Sequence, residues 1–239
     1  MLALGDHSQP MMSQNEPASA LPPKPRFRGR LHQFAFMASI PAGLALVAVA
    51  PRTSARVAAM VFALSLIALY GTSAAYHRLP WSDRARSWMK RLDHSMIFVL
   101  IAGTYTPFSL LVLDTPWSFV LLGVVWAGAL VGIAFKLASV DRIRAAARRL
   151  NATAAAMYIV LGWLAILTMP RIVRVLPWPA VALLFGGGLL YTSGAVIFLR
   201  KRPDPAPAVF GYHEIWHSMV IGGSACHYVV ILLAVLTLH

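Results

Sequence analysis

The chain has 239 residues, of which 59% are hydrophobic and only 12% charged, and its 21 basic and 8 acidic side chains give a net charge of +13. So apolar a composition excludes an ordinary soluble domain and identifies an integral membrane protein. A single cysteine, Cys226, lies inside an apolar run, which excludes a disulfide framework and a cysteine-rich zinc module. Any metal must therefore be held by His, Asp or Glu.

Residues 1–32 are rich in Pro, Ser and Gln and have no helical period. They are expected to form a disordered cytoplasmic tail that ends in a basic patch of Lys24, Arg26, Arg28 and Arg30. No removable signal peptide is read in this lead, and Met11, Met12 and Met37 are alternative starts. Residues 33–239 then form one membrane domain. Its apolar runs lie at Phe34–Ala50, Val57–Tyr76, Ser95–Leu113, Trp117–Phe135, Ala152–Met169, Trp178–Leu199 and Ile215–Leu238. Each is long enough to cross a hydrocarbon core of ~30 Å as a helix. The fold class is all-α: a seven-transmembrane helix bundle in the cell membrane.

The basic residues fall in the short connections, which marks topology rather than a nucleic-acid surface. One set of connections, with the N-terminal lead, holds 17 of the 21 Lys and Arg, and the other set holds Arg52, Arg56, Arg171 and Arg174. The positive-inside rule therefore puts the N-terminus in the cytoplasm and the C-terminus outside. Glycines such as Gly186 to Gly188 and Gly222 to Gly223 are expected to let helices approach closely. Pro107 is expected to kink the third helix.

The last run begins His213-Glu214-Ile215-Trp216-His217. Two histidines four residues apart share one helix face, with Cβ atoms about 5–6 Å apart, within reach of one metal ion. With topology fixed, His77 and Ser73 at the end of the second helix, Asp93 at the start of the third, and His213 and His217 all fall on the cytoplasmic side at similar depth. Three imidazoles from His77, His213 and His217 satisfy a catalytic zinc ion and leave its fourth position open. Asp93 is then placed as general base toward the metal's water, and Ser73 as a donor to a developing oxyanion.

Blander readings stand beside these. A histidine near a helix end often serves as an interfacial or interhelical hydrogen-bonding residue, and Asp93 before an apolar run fits a helix N-cap. Glu214 is expected to meet Lys or Arg at the cytoplasmic surface, and His94 likewise. His227 lies about 15 Å deeper than His217 along the helix axis and is read as a packing residue. His7, His32 and His239 carry no functional case.

The stretches Ser73-Ala-Ala-Tyr-His77, Leu92-Asp-His-Ser95, Ile101-Ala-Gly-Thr-Tyr-Thr-Pro107, Tyr158 with Gly162-Trp163, Gly188 to Gly194, and His213-Glu-Ile-Trp-His217 through His227-Tyr228 resemble the hemolysin III family over residues 27 to 239. That family is similar in turn to the progestin and adipoQ receptors and the alkaline ceramidases. The resemblance implies a seven-helix bundle with zinc held by His77, His213 and His217, with Asp93 at the zinc's water and Ser73 in the same site. It also suggests hydrolysis of a lipid amide such as ceramide, with membrane lipids as substrate and no nucleic-acid partner. The leading functional expectation is a zinc-dependent hydrolase of a lipid amide or ester. The alternatives are a channel or pore-forming cytolysin, as the family name suggests, and a receptor-like membrane protein in which zinc is structural.

Overall fold

The computed structural model describes residues 25–138 and 144–238. Most of the expected tail therefore lies outside the described residues, while its last part, residues 25–32, forms a turn and the start of the first helix. The described residues form eight α-helices in order: α1 (Arg30–Ala48), α2 (Thr53–Arg78), α3 (Asp83–Leu111), α4 (Trp117–Ala138), α5 (Arg144–Trp163), α6 (Met169–Val175), α7 (Trp178–Arg200) and α8 (Tyr212–Thr237). Among the described residues seven segments are long and apolar enough to span a membrane, the fifth being Ala152–Val175. This is the all-α, seven-span architecture expected.

Neighbours in sequence pack as neighbours in space from α1 to α4, α5 leans on α3, α4 and α7, and α7 pairs with α8. α8 also touches α1, α2 and α3, closing the ring. Buried glycines make these approaches possible. A Cβ on Gly223 would stand 3.1 Å from the carbonyl oxygen of Gly187, and the reciprocal contact is also 3.1 Å, so the α7 and α8 backbones approach closely there. The outer surface is apolar, with Phe34, Leu44, Phe119, Val131 and Leu167 exposed as lipid-facing residues of a membrane protein must be.

Two elements differ from the sequence expectation. α3 begins at Asp83, capped by Ser82 Oγ accepting from the amide of Ala85, rather than near Ser95. Asp93 therefore sits within a continuous helix, which removes its reading as an N-cap. The fifth span is broken: α5 ends at Trp163 and a 3₁₀ segment, Leu164–Thr168, leads into α6. Tyr105 accounts for the break, because its hydroxyl donates to the carbonyl of Gly162 at 2.8 Å and accepts from the amide of Ala165 at 2.7 Å. A side chain of α3 thus satisfies backbone groups that a regular helix would have paired within itself.

The start of α8 is held from several directions. The amide of Tyr212 donates to Asp204 Oδ1 at 2.9 Å, and the amide of Gly211 donates to Glu214 Oε2 at 3.0 Å. The second carboxylate oxygen of Glu214 accepts from Arg28 Nε at 2.7 Å. Glu214 does meet an arginine, but it is buried rather than at the surface, with 1% exposure. The segment around Arg28 is further tied to the α7–α8 connection by Arg26 N to Ala208 O at 3.0 Å and Phe27 N to Val209 O at 3.2 Å. Removing the guanidinium leaves a buried carboxylate half satisfied. Arg28→Ala is expected to destabilise the protein by about 2 kcal/mol, read as a lower midpoint of thermal unfolding in detergent, with Arg28→Lys recovering only part of the loss.

Candidate metal centre

The rings of His77, His213 and His217 converge at the end of the bundle formed by the α2–α3 and α7–α8 connections. His213 and His217 share a face of α8 as an i, i+4 pair, with ring centroids 4.5 Å apart. His77 reaches them from the last turn of α2, its ring 4.8 Å from that of His213 and 5.3 Å from that of His217. The Nε2 atoms of His77 and His213 are 3.2 Å apart. One ligating nitrogen from each of the three lies within 4.8 Å of the other two.

These distances test whether the donors suit a metal ion. Two nitrogens on one tetrahedral ion at about 2.0–2.1 Å stand roughly 3.3 Å apart, close to the separation of His77 and His213. A hydrogen bond between two rings gives a similar distance. The third ring separates the cases, since a simple imidazole pair has no need of His217 turned toward the same point. An all-nitrogen donor set suits a borderline transition-metal ion rather than calcium or magnesium. The residues fit.

The other two expected site residues lie alongside. Ser73 is buried one turn before His77 on α2, and its Oγ makes no hydrogen bond of regular geometry among the described residues. It faces the carboxyl of Asp93. Ser73, Asp93, His213 and His217 line one cavity of about 40 Å³. The α3 backbone beside Asp93 is fixed by Tyr158 of α5, whose hydroxyl donates to the carbonyl of His94 at 2.8 Å. His94 itself turns its ring toward Phe198, at 6.3 Å, and lines the site. His227 stays apart as expected: its Nε2 is 3.1 Å from the carbonyl of Leu184.

Two further cavities adjoin this one. An apolar cavity of about 100 Å³ runs between α3, α5, α7 and α8 toward His227, and it shares Leu69, Ile97, Tyr158, Trp216 and Val220 with the polar cavity. A larger cavity of about 240 Å³ carries Arg28, Arg86 and Lys90 and shares Asp93, His94 and His213. The three-histidine cluster thus stands between an apolar and a basic space.

Three residues here gave no sequence signal. Lys136 of α4 lines the polar cavity and is buried, although a lysine after an apolar run reads only as a topology marker. His32 of α1 packs against His217 with ring centroids 3.7 Å apart. Gly29, just before α1, has φ +77°, and a Cβ there would stand 2.5 Å from the Cβ of His77. Only glycine suits both the left-handed backbone and the missing space.

The chain matches the family model described as haemolysin-III related over residues 22–228. It is 37% identical over 209 residues to a protein named hemolysin-3 from Bacillus cereus, covering 86% of this chain and 89% of that protein. It is 34% identical over 204 residues to a hemolysin-3 homolog from Bacillus subtilis (strain 168), covering 84% and 89%.

The close approach of Gly29 makes it a sensitive position. Gly29→Ala, whose added methyl would stand 2.5 Å from the Cβ of His77, is expected to displace that ring and lower divalent-metal affinity by ~10-fold. Gly186→Ala, where nothing lies within 4 Å of the added methyl, is expected to leave affinity unchanged. Competition with a chromogenic chelator measures both.

Proposed function

This chain belongs to the haemolysin III-related family, and from that membership and its cluster of imidazoles we propose that it is a zinc-dependent hydrolase of a membrane lipid amide or ester. The observation that carries the proposal is the convergence of His77, His213 and His217 beside Asp93 and the buried Ser73 hydroxyl that faces it. Structural metal sites are normally closed by four protein ligands, whereas three imidazoles leave a position for a reactant. A zinc ion in such a site brings the pKa of its water toward ~7 and polarises a carbonyl oxygen.

The remaining steps belong to the chain's own residues. His77, His213 and His217 hold the metal as neutral imidazoles. Asp93, reaching the site from α3, takes the proton of the attacking water and then delivers it to the departing nitrogen or oxygen. Ser73, buried in the same cavity as Asp93, donates its hydroxyl hydrogen to the carbonyl oxygen as negative charge develops there. The apolar cavity lined by Leu100, Ile101 and Trp163 suits an acyl chain, and the basic cavity suits the polar end of the same molecule. Because the basic connections mark the cytoplasmic side, the polar product leaves toward the cytoplasm.

Metal analysis is the first test. Purified wild-type protein is expected to retain an equivalent of zinc per chain and His217→Ala to lose it, whereas metal-free wild type would sink the hydrolase. Turnover is the second. Fatty acid is expected to be released from a panel of lipid amides and esters in liposomes, and Asp93→Asn to reduce the rate by ~10²–10⁴ while zinc stays bound. Bound zinc without turnover on any of these lipids would indicate a structural metal, and dye leakage from liposomes that is unchanged in His217→Ala would indicate a pore.

A further inference from the structure

His32 lies in the first turn of α1, outside the set of residues to which the chemistry is assigned, yet it is only 3% exposed. Its ring lies flat on that of His217, with centroids 3.7 Å apart and planes 5° from parallel. Tyr70 meets its other side edge-on, at 5.1 Å and 66°. Neither Nδ1 nor Nε2 makes a hydrogen bond of regular geometry, although the ring approaches the main-chain carbonyl of His217. Buried ring nitrogens with no better than one poorly aligned contact are unfavourable. What the ring offers its surroundings is its flat face.

His217 has a use for that face. A metal-binding imidazole is ordinarily oriented by a hydrogen bond from its second ring nitrogen to a carboxylate or carbonyl. Among the described residues the contacts to the His217 ring are aromatic instead: His213 and His77 meet it with planes tilted by 56° and 59°, and His32 alone lies parallel to it. We propose that His32 is a positioning residue that fixes the ring plane of His217 by stacking, and so aims the nitrogen lone pair at the metal. The proposal rests on reading the three imidazoles as a metal centre. It gives α1, which supplies no metal ligand, a direct part in building the site.

The full-length protein in detergent tests this with zinc and cobalt ions as probes. His32→Phe keeps a flat ring and loses both nitrogens, while His32→Leu fills similar space without a planar face. The phenylalanine variant is expected to keep wild-type zinc affinity and the wild-type visible spectrum of bound cobalt. The leucine variant is expected to bind zinc ~10-fold more weakly and to shift the cobalt bands, with helical content by circular dichroism unchanged. A leucine variant with wild-type affinity and spectrum would overturn the proposal, and so would a phenylalanine variant as weak as the leucine one, since the nitrogens would then matter rather than the face. Wild-type protein that binds neither ion would instead remove the metal reading on which the proposal stands.

Discussion

Two ring nitrogens 3.2 Å apart, on helices separated by more than a hundred residues of sequence, set the terms for one whole end of this bundle. Imidazoles gathered in an interior are costly unless they share a ligand or a hydrogen bond, and they hold a shared geometry only if the helices beneath them are fixed. The second requirement explains much of the surrounding structure. Glu214, one residue after His213, caps the start of α8 with one oxygen and binds Arg28 with the other. The helix that carries two of the three rings is thereby tied both to its own first turn and to the segment that precedes α1. Gly29 then lets that segment pass directly over His77.

The neighbouring spaces give the centre a direction. Going from His227 toward the basic connections, the interior changes from aromatic and aliphatic walls to Ser73, Asp93 and imidazole, and then to arginine and lysine. An amphiphile would find each part matched to one portion of itself, with its junction at the three histidines, and this ordering of the walls supports the proposed lipid substrate more than any single residue does. A continuous water path has different needs, because polar groups must line its full length, and the apolar cavity interrupts that pattern.

Much of the fold was legible because membranes impose a simple rule: each crossing needs a long apolar run, and such runs stand out in the sequence. What hydropathy does not measure is helicity beyond the hydrocarbon. The charged stretch Arg84 to Arg91 consists of good helix formers and extends α3 from Ser82 onward, but its charge hid it among the connections. The break in the fifth span was illegible for another reason, since its cause, Tyr105, sits on a different helix. The site divides along the same line. His213 and His217 announce themselves by local spacing, and His77 joins them once the depth of each span is counted. His32, Gly29 and Lys136 act through contacts across the bundle, and nothing in their immediate neighbours in sequence marks them.

The packing of residues 28–32, just before and within the first turn of α1, separates the alternative starts that the sequence offers. Arg28, Gly29 and His32 touch Glu214, His77 and His217 respectively. A polypeptide initiated at Met11 or Met12 would carry all three of these residues, whereas one initiated at Met37 would still have most of the first span and none of them. Its first apolar run, cut to residues 37–50, would fall short of the roughly 20 residues that a crossing helix needs, and its histidine cluster would lack the residues packed around it. For this chain, residues that pack around the histidine cluster and the start of α8 are encoded ahead of the first long hydrophobic stretch.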